Sequence, residues 1–175
     1  MRKSILFLAA MILLVSAATA FSTDLEVLVK ERSVTLYPEG QLLGDLVIGA
    51  RGKILFVYVD KSLAHAVRGT EMPPEWLSWH SRYWGTDQAK GKALFIIRYE
   101  ANKPWTFDPG DIFIGGRRLE RGDILTDKAF IAEGDLPSGA EGILSVVVPL
   151  ESAAPGKVTT MAYLEDSVEW TVPAK

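Results

Sequence analysis

Residues 53–59 read KILFVYV, a run in which apolar side chains occupy both of the alternating faces that a β-strand presents. A strand that is apolar on both faces is typical of a central position, where both faces are covered by other parts of the protein. Two further apolar runs, ALFIIRYE at 93–100 and ILSVVVP at 143–149, also predict strands. These runs predict the core around which the fold is built.

Shorter apolar runs lie on either side of these three and are separated by glycine, proline and aspartate turn signals. Near the N-terminus, Leu25, Val27 and Val29 alternate with polar residues and predict a strand. In the last run, Val168 and Trp170 share one strand face. Roughly eight to ten short strands with a turn between neighbours indicate an antiparallel sandwich or barrel.

The strand pattern is interrupted at residues 60–90, where two segments have helical character. The first is 62–68, followed by Gly69, and the second is 74–84, followed by Gly85. Proline in the first turn and glycine just beyond the last are typical helix boundaries. The sequence therefore predicts a mainly β protein with a short helical insertion at about 60–90.

Residues 93–172 carry a recurring arrangement: a strand ending in Asn, a segment reading WTFDPGDIF, a Pro/Gly turn and a strand reading GILSVVVP. The matching positions are Asn102, Phe107, Pro109, Asp111, Phe113, Gly142 and Pro149. This half of the chain resembles the immunoglobulin-like, telokin-like domains of secreted bacterial proteins. The resemblance implies an antiparallel immunoglobulin-like β-sandwich and implies no particular activity.

The N-terminus predicts export. Arg2 and Lys3 precede the apolar run 5–15, and Ala18-Thr19-Ala20 offers a small-residue cleavage site, so residues 1–20 are interpreted as a signal peptide. The alternative is a membrane-spanning anchor, which needs roughly 20 apolar residues, and the run 5–15 is shorter than that. We expect a mature single domain at 21–175, with no membrane span after cleavage, in the periplasm or outside the cell. With no cysteine in the chain, this domain has no disulfides and relies on burial for stability.

Composition and motifs exclude several function classes. A net charge of −3 argues against a nucleic-acid partner, because such binders usually carry a basic face. His65 and His80 are the only histidines, and neither lies in a nucleophile-elbow or zinc-protease motif. No cysteine is available as a nucleophile or thiolate ligand. We therefore expect no catalytic residue, no cofactor and no metal site.

The most distinctive segment is 72–85, MPPEWLSWHSRYWG, which holds three of the five tryptophans. At about 100° per residue, a helix over 74–84 groups Trp76, Trp79 and Tyr83 on one face, with Trp84 adjoining and His80 between them. One interpretation is that this aromatic face packs on the sheets. The other is that part of it stays exposed and binds a partner, since tryptophan and tyrosine are favoured at interfaces.

The sequence thus favours an exported, non-enzymatic binding module of the cell envelope. Its candidate binding residues are Trp76, Trp79, His80, Tyr83 and Trp84. The expected partner is another envelope protein or a surface polysaccharide. Two alternatives stay open: a small envelope hydrolase that acts on carbohydrate through a pair of carboxylates, and a purely structural module whose helix only seals the core.

Overall fold

A computed structural model describes residues 24–174, which are mainly β and pair antiparallel throughout. The strands are β1 (Ser33–Leu36), β2 (Gln41–Leu43), β3 (Leu46–Ile48), β4 (Gly52–Tyr58), β5 (Lys92–Ala101), β6 (Trp105–Phe107), β7 (Ile112–Ile114), β8 (Arg117–Arg118), β9 (Gly134–Leu136), β10 (Glu141–Pro149), β11 (Val158–Tyr163) and β12 (Asp166–Thr171). The helices are α1 (24–31), α2 (Lys61–Gly69) and α3 (Glu75–Ser81). The predicted signal peptide, 1–20, lies outside the described residues. None of the described helices is long and apolar enough to cross a membrane.

The first sheet has the strand order β1-β4-β5-β10 and contains the three runs that define the core in the sequence. β5 lies between β4 and β10, with Ile97 opposite Phe56 on one side and Leu144 on the other. Because successive side chains point to opposite faces, β4 sends Ile54 and Phe56 to one face and Val57 to the other. Both faces are buried, as the apolar pattern of residues 53–59 predicts.

The second four-stranded sheet has the order β12-β11-β7-β8. Its inward side chains, among them Ile112, Ile114, Met161 and Tyr163, share one hydrophobic core with the first sheet. Aromatic rings fill much of this core, and Phe107 stacks on Tyr99 with ring centroids 3.9 Å apart. Both four-stranded sheets therefore contribute side chains to one core.

The three helices cover the other face of the first sheet and create a second hydrophobic cluster. That cluster joins the following side chains of helices and strands: Leu25, Val57, Val59, Leu63, Ala64, Val67, Leu77, Leu94, Ile96 and Val147. α2 is capped by the Asp60 carboxylate, which accepts a hydrogen bond from the backbone N–H of Leu63 at 2.8 Å. The same carboxylate forms a buried ion pair with Arg32 at 3.0 Å, which ties the end of α1 to the start of α2.

The prediction of a strand near residue 25 is wrong, because residues 24–31 form α1. Leu25, Leu28 and Val29 face the second cluster, and Val27 is exposed. The spacing i, i+3, i+4 fits a helix, whereas the alternation of Leu25, Val27 and Val29 fits a strand. The segment is helical because the helical spacing lets these residues pack against the first sheet. That contact is tertiary, so the local sequence does not reveal it.

The helical insertion lies where the sequence places it, as α2 and α3 between β4 and β5. α3 is shorter than predicted, since it ends at Ser81 rather than Trp84. Residues 82–86 continue as turns, with backbone hydrogen bonds from Trp84 to Ser81 and from Thr86 to Tyr83. Gly85 adopts φ +82°, a conformation in which glycine is favoured.

Candidate interaction surface

The inner side of α3 packs against the first sheet. Leu77, His80 and Ser81 are buried, and their i, i+3, i+4 spacing defines the face that contacts β5 and β10. At about 100° per residue, this buried face adjoins Trp76 on the side away from Trp79, so it does not lie beneath the whole aromatic set. The structure therefore divides the five candidate residues among different surroundings.

His80 lies in the interior, where it is 8% exposed. Its Nδ1 atom is 2.7 Å from the hydroxyl oxygen of Ser145 on β10, which is 0% exposed. The backbone N–H of Ser145 in turn donates to the hydroxyl of Thr126 at 2.8 Å. Burial, reinforced by the positive charge of Arg82, lowers the pKa of His80 from 6.5 to about 4. His80 is therefore a neutral, hydrogen-bonded residue of the interior at neutral pH and is not available to a ligand.

Tyr83 and Trp84 hold the end of the insertion against its neighbours. The Tyr83 hydroxyl donates to the backbone carbonyl of Leu125 at 3.0 Å. Trp84 packs edge-on against His65, with ring centroids 5.7 Å apart, and Arg68 lies 5.6 Å from its ring centroid. Both aromatic side chains are half-buried in the helix-covered cluster, so most of their surface is used within the protein.

Trp79 is different, because 53% of it is exposed. The guanidinium of Arg82 lies 3.7 Å from its ring centroid and covers one face of the indole. One turn earlier, half-buried Trp76 has Arg98 of β5 at 6.0 Å from its ring centroid. Trp76, Trp79, Arg82 and Arg98 are hereafter the tryptophan patch. The sequence prediction includes the two tryptophans but neither arginine. The i, i+3 spacing of Trp79 and Arg82 was an available signal for that pair, whereas Arg98 meets Trp76 only through the packing of α3 on β5.

A second surface feature is a cleft of about 640 Å³ lined by the following residues: Glu39, Arg51, Pro104, Trp105, Thr106, Asp135, Leu136, Pro137 and Leu164. Arg51 crosses one side, with Nε 2.7 Å from a Glu39 carboxylate oxygen and Nη1 2.9 Å from the carbonyl of Pro104. On the other side, Asp135 accepts a hydrogen bond from the Thr106 hydroxyl at 2.7 Å.

Two residues that line this cleft have unusual backbone conformations. Glu39 has φ +57° and Leu164 has φ +52°, and they are the non-glycine residues with positive φ in the part of the chain that the structure describes. This region favours glycine, and non-glycine residues in it tend to occur at binding and catalytic sites. The backbone N–H of Glu39 is held by the Asp166 carboxylate at 2.9 Å.

The β2–β3 hairpin projects from the chain between Glu39 and Arg51. Four of its large apolar side chains, Leu42, Leu43, Leu46 and Ile48, are 51–75% exposed. In the sequence these residues belong to one short apolar run, 42–48, and they are not among the candidate binding residues. The signal that was available is Gly44-Asp45, a turn-forming pair between two short apolar runs.

The cleft also contains the kind of residue that the hydrolase alternative needs. Glu39 and Asp135 line one cleft, as the hydrolase alternative requires of a carboxylate pair. The hydrogen bond from Arg51 lowers the pKa of Glu39, which suits a carboxylate that stays ionised rather than one that acts as a general acid. Within residues 24–174, no three His, Asp or Glu side chains are grouped as metal ligands.

Comparison with known proteins finds no relative whose corresponding surface could be compared with this one. No family model, no curated protein and no solved structure matches the chain.

Proposed function

We propose that the chain is an exported, non-enzymatic binding module of the cell envelope, and that its tryptophan patch contacts another envelope protein. In this proposal the two four-stranded sheets form an immunoglobulin-like β-sandwich, and residues 1–20 are removed on export to the periplasm or the cell surface. The sandwich and the helix layer serve as a rigid support for the patch.

The observation that carries the proposal is the exposure of Trp79. Leu77 and His80 on the same helix already fill the interface with the first sheet, so Trp79 is not needed to seal the core. A large aromatic side chain left 53% exposed beside Arg82 has the composition of a binding hot spot, in which tryptophan, tyrosine and arginine predominate. Arg82 covers one indole face and restrains the ring, which leaves the other face for a partner.

A protein partner is favoured over a surface polysaccharide because arginines accompany both tryptophans of the patch. Arg82 lies at Trp79, and Arg98 lies at Trp76 while also pairing with Glu141 at 2.6 Å. Arginine beside tryptophan provides fixed hydrogen-bond donors for carboxylates or backbone carbonyls of a protein.

The test is site-specific photo-crosslinking in the producing cell, with a photoreactive phenylalanine analogue at position 79. A matched control places the same analogue at Leu150, which is exposed but far from α3 in sequence. We expect a discrete protein adduct from position 79 only, and we expect Arg82→Ala to weaken it at least tenfold, since hot-spot residues contribute most of a binding energy. Equal labelling from both positions, or an adduct with polysaccharide alone, would contradict the proposal.

Export is tested separately by sequencing the N-terminus of the protein recovered from the producing cell. We expect the mature chain to begin at Phe21, immediately after the predicted cleavage site. A mature chain that begins at Met1 and stays in the cytoplasm would refute this part of the proposal.

A further inference from the structure

The β2–β3 hairpin forms a two-stranded sheet by itself. Leu42 pairs with Val47 and Leu43 with Leu46, and no other strand within residues 24–174 joins this pair. Both outer edges of the hairpin therefore carry backbone groups with no strand partner in the described chain. Two strands alone are marginally stable in water, whereas three or more strands with an apolar face are stable.

The hairpin is apolar on both faces. Alternation along the strands places Leu43, Leu46 and Ile48 on one face and Leu42 on the other. Each of these four side chains is more than half exposed. Such a grouping of exposed apolar side chains on a soluble surface is typical of an interaction site.

The charge around the hairpin is acidic. Asp45 occupies the hairpin turn, Asp135 lines the adjoining cleft, and Glu165 and Asp166 follow Leu164. These four carboxylates form no ion pair with any residue of the described chain. Two cations lie at the base of the hairpin: Arg51 pairs with Glu39, and Lys103 donates to the carbonyl of Gly49, so carboxylates still outnumber cations at this surface. A partner that approaches this surface gains from positive charge.

The cleft at the base of the hairpin is held in shape by a network of contacts. Glu39 connects Asp166 to Arg51, and Arg51 connects Glu39 to the carbonyl of Pro104. Lys103 donates to the carbonyl of Gly49 at 2.8 Å, which anchors the outgoing end of the hairpin. These contacts fix the position from which the hairpin projects, so the hairpin presents a defined edge.

From these observations we infer that the β2–β3 hairpin binds an extended segment of another protein, which adds to it as a third strand. The segment alternates apolar residues with lysine or arginine. Its backbone pairs with a free edge of the hairpin, its apolar side chains cover one leucine face, and its basic side chains lie near Asp45 and Asp135. This mode of recognition uses backbone hydrogen bonds for affinity and alternate side chains for specificity. The inference does not depend on the tryptophan patch.

The experiment uses a fluorescently labelled octapeptide of alternating valine and lysine as the probe, with an octapeptide of alternating valine and glutamate as its control. Fluorescence anisotropy measures binding to the purified protein, and hydrogen–deuterium exchange measures the amides of residues 41–48. We expect the lysine peptide to bind, the glutamate peptide to bind at least tenfold more weakly, and amide exchange in the hairpin to slow at least tenfold.

Variants identify the surface that binds the peptide. Leu43→Ser combined with Leu46→Ser removes most of one apolar face, and these exposed positions are not needed for the core. Leu150→Ser is the matched control at an exposed leucine elsewhere. We expect the double variant to bind at least tenfold more weakly, and we expect Leu150→Ser and Trp79→Ala to bind as the parent does.

Three results would overturn the inference. The first is absence of lysine-peptide binding, and the second is equal binding by the double variant or by the glutamate peptide. The third is a dimer in sedimentation velocity that the double variant dissociates, which would assign the hairpin to a second copy of this chain. Because Trp79→Ala separates the two surfaces, failure here leaves the proposed function of the tryptophan patch to its own test.

Discussion

The hydrogen bond between His80 and Ser145 is the contact whose removal gives the sharpest stability prediction. Ser145→Ala removes the hydroxyl that lies 2.7 Å from Nδ1 of His80 and leaves the imidazole nitrogen buried without that partner. The backbone N–H of Ser145 keeps its bond to Thr126, so the substitution isolates the hydroxyl. Leaving a buried polar atom unsatisfied costs about 1–3 kcal/mol, and we expect the free energy of unfolding to fall by about 2 kcal/mol.

The measurement is urea denaturation followed by far-ultraviolet circular dichroism. A loss of about 2 kcal/mol corresponds to a melting temperature lower by about 4–8 °C for a domain of this size. Ser138→Ala is the control, because the Ser138 hydroxyl also makes one short hydrogen bond, to the backbone carbonyl of Asn102 at 2.8 Å, but is exposed. We expect that control to change stability by less than about 0.5 kcal/mol.

A double variant completes the prediction. Combining Ser145→Ala with His80→Leu removes both polar groups, and replacing both partners by apolar groups is close to neutral. The double variant should therefore be more stable than the sum of the two single losses predicts. Strict additivity, or a loss below about 0.5 kcal/mol for Ser145→Ala alone, would refute the view that this buried bond holds α3 to β10.

Two further predictions concern protonation and packing. Because the pKa of His80 is lowered from 6.5 to about 4, the unfolded chain takes up a proton between these pH values that the folded chain does not. The free energy of unfolding should therefore fall as pH decreases from 6.5 to 4, by at most about 1.4 kcal/mol per pH unit. In urea titrations, His80→Gln should flatten this slope and the control His65→Gln should not. An unchanged slope in His80→Gln would contradict the prediction. Gly142→Ala should lower stability by about 1–3 kcal/mol in thermal denaturation, because a Cβ at this position would overlap the Tyr99 ring, and unchanged stability would show that the ring moves freely.

Much of the fold follows from local patterns. The apolar run 53–59 predicts a strand covered on both faces, and β4 is covered by the shared core on one face and by helices on the other. The insertion was predictable because proline and glycine mark its helices. α1 was not, because Leu25, Val27 and Val29 satisfy a strand period while Leu25, Leu28 and Val29 satisfy a helical one.

The candidate surface was predictable only in part. Helical winding groups Trp76, Trp79 and Tyr83, but which arc of α3 meets the sheet depends on the small, polar Ser145 that accommodates His80 across the interface. Tyr83 and Trp84 follow the end of the helix, so their positions depend on turns rather than on helical periodicity. The exposure of the β2–β3 hairpin could not be predicted either, because an apolar run normally indicates burial. Only the tertiary structure shows that nothing in the described chain covers the hairpin.

The connection between β4 and β5 has a consequence for how the domain is assembled. These strands are antiparallel neighbours with Tyr58 opposite Phe95, a pairing that a tight turn can close. The chain instead runs through α2 and α3 before it returns, and lengthening a loop costs only about 0.6 kcal/mol per doubling. The longer connection supplies α2 and α3, two of the three helices that cover the outer face of the sheet, so a shortened connection would join the same two strands but leave only α1 over Val57, Ile96 and Val147. The insertion therefore contributes to this domain by covering a sheet face rather than by setting the strand order.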